Sequence, residues 1–223
     1  MSSQSGARLA IFDIDQTLVR GDSFKQFCWF AARSNSIGWR WFWRVAVDAL
    51  THPTHIMDAG RVKKDCLKIC LVNHDKAALT ALAKSFVDRV LLNRVRSAAA
   101  DRLRWHKQQN HTIMFLSASP DLYLNVFGVR LGADRVVCTR FFDQDGHYTG
   151  ELYSANCKGD EKRRRLLEQL SPGEIAWNQS YGYGNSIDDV FFLELLGNPV
   201  AVNPDRKLRK LAEQRQWSIA SWS

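Results

Sequence analysis

The chain has 223 residues, of which 45% are hydrophobic, and its 31 lysines and arginines outnumber its 23 acidic residues to give a net charge of +8. This length and apolar content suffice for one domain of ordinary size plus an insert. The positive charge favours anionic substrates or surfaces without selecting among them. The five cysteines form no CxxC pair, which favours reduced thiols over a disulfide framework or a zinc site.

The chain is predicted to reach its first strand, residues 8–14, without a preceding basic region and apolar stretch, which argues against a cleaved signal peptide. No uninterrupted apolar run approaches the length of a membrane span. We therefore expect a cytoplasmic protein.

Two carboxylates follow this first apolar strand, in the string Ile-Phe-Asp13-Ile-Asp15-Gln-Thr17-Leu. A strand that ends there leaves Asp13 and Asp15 at its carboxyl end, where open α/β sheets bind ligands. One aspartate could then act as a nucleophile and the other as a general acid/base.

Residues 22–92 carry mostly helical periodicity, with one apolar stripe formed by Phe24, Phe27, Cys28 and Ala31. We interpret this stretch as a helical cap inserted into a core that comprises residues 1–21 and 93–223.

The remainder of the chain alternates between strands and helices, which predicts a Rossmann-like α/β core with a parallel sheet. Residues 141–153, with Asp145-Gly146 at their centre, predict a projecting hairpin. The further strands are predicted at 111–117, 134–141, 174–183 and 199–203, and the helices near 93–108, 120–127, 158–170, 187–196 and 205–215.

The basic residues and histidines indicate no additional site. The run Lys162 to Arg165 lies in a predicted helix, where we expect a solvated face, and no nucleic-acid-binding module is recognisable. The six histidines show no spacing typical of metal ligands.

Four motifs occur in one order along the chain: the D-x-D-x-T string, a strand ending in Ser117, Lys158 at the start of a charged helix, and the segment Gly184 to Asp189. In this order they resemble the haloacid dehalogenase-like phosphohydrolases. The long helical insert after the first motif is most similar to the subfamily that contains the phosphoserine phosphatases.

This resemblance implies a magnesium-dependent phosphatase. It disfavours a dehalogenase, because the dehalogenases of this fold lack the second aspartate, which is Asp15 in this chain. Asp13 would attack phosphorus and form an aspartyl-phosphate, and Asp15 would act as general acid and then as general base. Lys158 would supply a positive charge to the phosphoryl group. The hydroxyls of Thr17 and Ser117 and the backbone amide of Ala118 would bind phosphate.

The resemblance also implies metal ligands for Mg²⁺: the Asp13 carboxylate, the Asp15 backbone carbonyl and the acidic motif that ends in Asp189. The chain departs from the family here, because Asn185 occupies the first acidic position. An amide offers an oxygen but no charge, so we expect weaker metal binding. A shifted alignment would make Asp188 the ligand instead.

What signal of substrate specificity the sequence contains lies in the predicted cap. Phosphoserine phosphatases have a glutamate where this chain has Asp22, which could meet a cationic group of the substrate or could cap the next helix. The run Trp39 to Arg44 could pack within the cap or contact a lipid surface. We expect a small phosphorylated metabolite as substrate; the alternatives are a lipid phosphate, or a non-catalytic phosphate-binding module impaired by Asn185.

Overall fold

The computed structural model describes residues 6–34, 76–144, 147–152 and 155–223. Their strands are β1 (Leu9–Phe12), β2 (Thr112–Pro120), β3 (Arg135–Thr139), β4 (Phe141–Gln144), β5 (His147–Leu152), β6 (Tyr181–Gly184), β7 (Asn198–Val202) and β8 (Ser218–Ala220). Their α-helices are α1 (Ser23–Arg33), α2 (Lys76–Phe86), α3 (Ser97–Gln108), α4 (Asp121–Leu131), α5 (Asp160–Glu168), α6 (Val190–Leu193) and α7 (Arg206–Gln214). A π-helical turn, Val87–Leu91, and a 3₁₀ turn, Leu92–Arg94, follow α2.

Six strands form one parallel sheet in the order β3-β2-β1-β6-β7-β8. All four residues of β1 are buried, as expected for a central strand covered on both faces. The neighbours of β1 are β2 on one side and β6 on the other, so the chain order reverses at β1. This topological switch point is where open α/β sheets bind their ligands, beyond the carboxyl ends of the strands.

Helices cover both faces of the sheet. Because side chains alternate along a strand, Ala10 and Phe12 of β1 pack with α3 and α4, and Leu9 and Ile11 pack with α5, α6 and α7. The predicted Rossmann-like parallel α/β fold is confirmed.

The described part of the predicted cap packs on the core through aromatic side chains. In α1, the predicted stripe of Phe24, Phe27, Cys28 and Ala31 is buried. The ring of Phe27 lies 5.3 Å from that of Phe86, at the end of α2, and 5.1 Å from that of Tyr123 in α4. Aromatic pairs at these separations stabilise the contact between cap and core by more than the burial of their apolar surface alone. The assignment of residues 22–92 to a separate cap domain stays a prediction.

Two sequence predictions of secondary structure need correction. The predicted strand 174–183 begins too early, because the 3₁₀ turns Pro172–Glu174 and Trp177–Gln179 overlap its first half and β6 begins only at Tyr181. The edge strand β8 was not predicted, because its three residues are too few for a periodic pattern. The predicted hairpin is present as the antiparallel pair β4 and β5.

Buried polar side chains lie behind β6. Nδ1 of His106 lies 2.8 Å from Nδ1 of His111, and Nε2 of His106 lies 2.8 Å from the hydroxyl of Tyr183. One nitrogen of the close pair must be an unprotonated acceptor, so the two histidines cannot both be charged. Burial, with smaller effects from His111 and Arg102, lowers the pKa of His106 to about 3.

Candidate functional site

The candidate site lies at the carboxyl edge of the sheet, where β1 and β6 end side by side. Asp13 directly follows β1, and Asn185 directly follows β6. The short apolar strand β1 therefore delivers Asp13 to the switch point, as the sequence pattern predicted.

Asp13 is buried and receives hydrogen bonds on both carboxylate oxygens. Oδ2 accepts from the Thr17 hydroxyl at 2.9 Å, and Oδ1 accepts from Nζ of Lys162 at 2.6 Å. Burial raises the pKa of Asp13 to about 7, against the positive charge of Lys162 that lowers it, while Asp189 raises it further. The ammonium group of Lys162 thus favours the ionised form that a nucleophile requires.

The structure places Lys162, and not the predicted Lys158, beside Asp13. The side chain of Lys162 is 4% exposed and joins Asp13 to Asp189, whose Oδ1 is also 2.6 Å from Nζ. The side chain of Lys158 is 51% exposed, and its Nζ lies 3.1 Å from Asp188. Although burial opposes the charge on Lys162, the two carboxylates raise its pKa above the ordinary value.

The local helix explains why Lys162 is buried. Helix α5 begins at Asp160, after Gly159 with φ of 60°, so Lys158 precedes the helix. Leu166 follows Lys162 four residues later within α5, and both side chains are buried. Residues four apart share a helix face, so α5 presents Lys162 on its buried side. The same spacing relates Lys158 to Lys162, so this periodicity does not distinguish the two lysines in the sequence.

The expectation of a fully solvated basic face on this helix is therefore wrong. Lys162 and Arg165 are buried, and Arg165 donates to Glu161 at 2.7 Å and to the backbone carbonyl of Cys138 at 2.7 Å.

Asp189 organises the loop after β6. Its Oδ2 accepts from the backbone N–H groups of Asn185 and Ser186, both at 3.0 Å, and its Oδ1 accepts from Lys162. A Cβ atom on Gly184 would lie 2.6 Å from Cβ of Asp189, so only glycine allows this approach. Both oxygens of Asp189, a predicted metal ligand, are thus engaged by the protein.

Asn185 and Asp188 point to different partners. Oδ1 of Asn185 lies 3.3 Å from the Thr17 hydroxyl, which also donates to Asp13, so the two oxygens converge on one hydroxyl. Asp188 instead pairs with the exposed Lys158. Of these two residues, Asn185 is therefore the one whose side chain lies near Asp13, and the assignment of either residue as a metal ligand stays a prediction.

Asp15 is partly exposed and held by two donors. Its Oδ1 accepts from the backbone N–H of Ser23 at 2.6 Å, and its Oδ2 accepts from the Ser119 hydroxyl at 2.7 Å. Burial raises the pKa of Asp15, while these hydrogen bonds lower it. A carboxyl group with a raised pKa can hold a proton nearer to neutral pH, which suits a general acid.

The predicted phosphate-binding residues of the second motif lie at the end of β2. The buried hydroxyl of Ser117 accepts from the backbone N–H of Ser119 at 3.0 Å. The carbonyl of Ala118 accepts from the Thr139 hydroxyl at 2.8 Å, which fixes the peptide leading into α4.

Asp22 is the N-cap of α1, because its Oδ1 accepts from the backbone N–H of Lys25 at 3.0 Å. The capping role considered for this residue is confirmed, and a contact with substrate stays a prediction. The run Trp39 to Arg44 lies outside the described residues.

Among the residues that the structure describes, no three or more histidine, cysteine or acidic side chains gather into a metal cage. In the same part of the chain, none of the helices combines the length and the apolar character that crossing a bilayer requires.

The fold and the site together define an α/β protein with paired aspartates and a buried lysine at the switch point of a parallel sheet. The family model of the haloacid dehalogenase-like hydrolases matches residues 10–194, and the chain belongs to this family. The family predicted from the ordered motifs is confirmed.

Named relatives agree with this assignment. A probable phosphatase of Mycobacterium tuberculosis is 32% identical over 149 residues, which are 67% of this chain and 52% of the relative. The chain thus spans about half the length of this curated relative. A phosphoserine phosphatase of the same organism is 25% identical over 214 residues, covering 94% of this chain and 69% of that protein.

A solved structure from Bordetella pertussis Tohama I, of a protein with unknown function, is also similar. It superposes with a TM-score of 0.84 at 27% identity and covers 96% of this chain and 98% of its own.

Proposed function

We propose that this protein is a magnesium-dependent phosphomonoesterase that works through an aspartyl-phosphate on Asp13. The observation that carries the proposal is the buried line Asp13–Lys162–Asp189, with both contacts of Lys162 at 2.6 Å. The ammonium group favours the ionised form of Asp13 against the effect of burial, and it places a positive charge beside this carboxyl at the ligand-binding end of the sheet, as a phosphoryl-accepting nucleophile requires.

In the first step an oxygen of Asp13 bonds to phosphorus while the bond from phosphorus to the ester oxygen breaks. Asp15 gives its proton to the departing oxygen, which leaves as an alcohol. In the second step Asp15 takes a proton from water, whose oxygen attacks phosphorus and releases Asp13 and inorganic phosphate. One carboxyl group thereby serves both half-reactions.

The charge that builds on the phosphoryl oxygens requires fixed donors. We assign this role to the Thr17 and Ser117 hydroxyls, the backbone N–H of Ala118 and the ammonium group of Lys162. Lys162 takes the role first expected of Lys158, because it is the lysine in contact with Asp13.

The oxygen donors fit Mg²⁺. The Asp13 carboxylate and the Asn185 amide oxygen converge near Thr17, and the Asp15 backbone carbonyl would be a third ligand. Mg²⁺ typically takes one or two carboxylates and keeps several waters, and when bound it would neutralise phosphoryl charge. Asp189, already engaged by three donors, would act by holding Lys162 and Asn185 in place.

A small phosphorylated metabolite is the proposed substrate. A relative that is named a phosphoserine phosphatase supports this class. One carboxylate oxygen of Asp22 caps α1 by accepting from the backbone of Lys25. Asp22 therefore gives little support for L-phosphoserine as the substrate. The alternative, a lipid phosphate, depends on residues 39–44, which lie beyond the described ranges.

The test measures turnover of 4-nitrophenyl phosphate across magnesium concentrations for wild type, Asp13→Asn and Asp15→Asn. Asp13→Asn should lower turnover by about three orders of magnitude or more in a folded protein, because an amide is a poor nucleophile at phosphorus. Asp101→Asn, the same change at an exposed carboxylate paired with Arg104, is the matched control and should retain wild-type turnover.

Two further measurements separate the mechanisms. Acid quenching of wild type during turnover should leave an acyl phosphate on the peptide that contains Asp13, detected by mass spectrometry. Undiminished turnover of folded Asp13→Asn would overturn the covalent mechanism. Phosphate binding by a wild type that hydrolyses no monoester in a metabolite and lipid screen would support the non-catalytic module instead.

A further inference from the structure

Three buried hydroxyl groups connect Asp15 to helix α4. The Ser119 hydroxyl lies 2.7 Å from Oδ2 of Asp15, the Ser23 hydroxyl lies 3.1 Å from that of Ser119, and the Tyr123 hydroxyl lies 3.0 Å from that of Ser23. Ser23, Ser119 and Tyr123 are each exposed by 1% or less. Hydroxyls buried this deeply are costly unless each finds a partner.

Counting hydrogens gives this chain of hydroxyls one direction while Asp15 is ionised. A hydroxyl has one hydrogen to donate. Ser119 donates its hydrogen to Asp15, so the contact between the serines requires Ser23 to donate to Ser119. Ser23 then has no hydrogen left for Tyr123, and the tyrosine hydroxyl must donate to Ser23. Every donor in the chain therefore points toward Asp15.

The end of this chain of hydroxyls is rigidly packed. The ring of Tyr123 lies 5.1 Å from Phe27 of α1 and 5.2 Å from Phe86 of α2, so aromatic contacts hold the phenol from two sides. Ser23 is also the first residue of α1, and its backbone N–H donates to Oδ1 of Asp15 at 2.6 Å. The backbone N–H of Ser23 and the hydroxyl of Ser119 thereby hold the two oxygens of Asp15, and both donors are themselves held in place by the packing around them.

We propose that Tyr123, Ser23 and Ser119 are positioning residues that orient the Asp15 carboxyl toward the leaving-group oxygen. This inference rests on the proposed function, in which Asp15 is the general acid. Cooperative alignment strengthens each hydrogen bond in such a chain, and small displacements of a catalytic group lower the rate strongly. The chain of hydroxyls also links Asp15 to α1 and α2. The packing of these two helices on the core therefore helps to hold the proposed general acid in position.

The test uses the dependence of phosphoryl transfer on the leaving group. A positioned acid lets the ester oxygen leave as an alcohol, so the rate varies little with the basicity of that oxygen. Without a positioned acid the ester oxygen leaves as an anion, and the rate falls for esters whose leaving-group oxygen is more basic. Phenol release is measured in single turnover with enzyme in excess, for 4-nitrophenyl, phenyl and 4-methoxyphenyl phosphate, together with steady-state KM.

For Tyr123→Phe we expect the rate ratio of phenyl to 4-nitrophenyl phosphate to fall by about threefold, and for Ser119→Ala by about thirtyfold, with KM little changed. Tyr183→Phe is the matched control, since it also removes one buried hydroxyl, here bonded to His106. Its rate ratio should equal that of wild type.

The outcomes are distinct. If folded Tyr123→Phe and Ser119→Ala keep the wild-type ratio, the positioning role is wrong even though the enzyme is a phosphatase. Tyr123→Phe keeps the test decisive if Ser119→Ala does not fold, because it removes one oxygen and leaves the ring packing intact. If wild type releases no phenol from any of the esters, the proposed function itself fails.

Discussion

Replacing Lys162 with methionine removes the ammonium group between Asp13 and Asp189 and leaves an apolar side chain of similar length. Nζ lies 2.6 Å from an oxygen of each carboxylate, and the lysine side chain is 4% exposed. Bulk water therefore cannot solvate the two carboxylates in place of the ammonium group. Breaking a buried ion pair from one side costs about 3–5 kcal/mol. We expect the free energy of unfolding of Lys162→Met to fall by that amount at pH 7.

Activity should fall as well, for a separate reason. Removal of one preorganised donor to a transition-state oxyanion lowers kcat by about 10²–10³. We expect a loss of this size for Lys162→Met, because the same ammonium group would both favour the ionised form of Asp13 and face the phosphoryl group.

Lys158→Met is the matched control, since it makes the same change four residues earlier. Its ion pair with Asp188 joins side chains that are 51% and 37% exposed. Exposed pairs of this kind contribute about 0–1 kcal/mol, so stability and turnover should remain close to wild type.

Both variants are assayed with 4-nitrophenyl phosphate at saturating magnesium and unfolded in urea with detection by circular dichroism. A spectrum at the assay temperature shows whether each protein is folded before rates are compared. If Lys158→Met loses activity while folded Lys162→Met keeps it, the assignment of the buried lysine to the reaction is refuted.

Three further perturbations test other parts of the structure. Asn185→Asp adds a charge beside Thr17 and should lower the magnesium concentration for half-maximal activity; an unchanged magnesium titration, combined with inactive Asp188→Asn, would move the ligand role to Asp188. Asp22→Ala removes the cap of α1 and should lower the free energy of unfolding in urea by about 1 kcal/mol with KM for phosphoserine unchanged, whereas a raised KM at wild-type stability would assign Asp22 to substrate. His106 has a folded-state pKa of about 3, below the 6.5 of an unfolded histidine, so its contribution to stability is complete above pH 6.5 and is lost as the pH falls toward 3. The free energy of unfolding should therefore drop by at most about 1.4 kcal/mol per pH unit in that window, and a His106→Gln variant with the same slope would contradict this origin.

The sequence by itself determined the features that depend on neighbouring residues. A buried strand, a turn and two aspartates occur within residues 9–18, and the end of the strand places Asp13 and Asp15 at the carboxyl end of the sheet. The alternation of strands and helices was sufficient for the parallel α/β fold, and the order of the motifs was sufficient for the family. These are local patterns, which the backbone geometry of each element converts directly into structure.

Only the tertiary structure decided which lysine reaches Asp13. Lys158 and Lys162 are separated in the sequence by about one helical turn. Lys162, which contacts Asp13, is 149 residues from it along the chain. The turn at Gly159 starts the helix after Lys158 and directs Lys162 inward, where two carboxylates compensate its burial.

The hydroxyls that hold Asp15 were equally inaccessible to sequence reasoning. Ser23 and Tyr123 are 100 residues apart, and no periodicity relates them. Single serines and tyrosines are common throughout any chain, so their role arises when α1 and α4 pack together and exclude water from the hydroxyls between them. The sequence therefore specified the two aspartates proposed to react, and the packing of distant elements specified the groups that hold them.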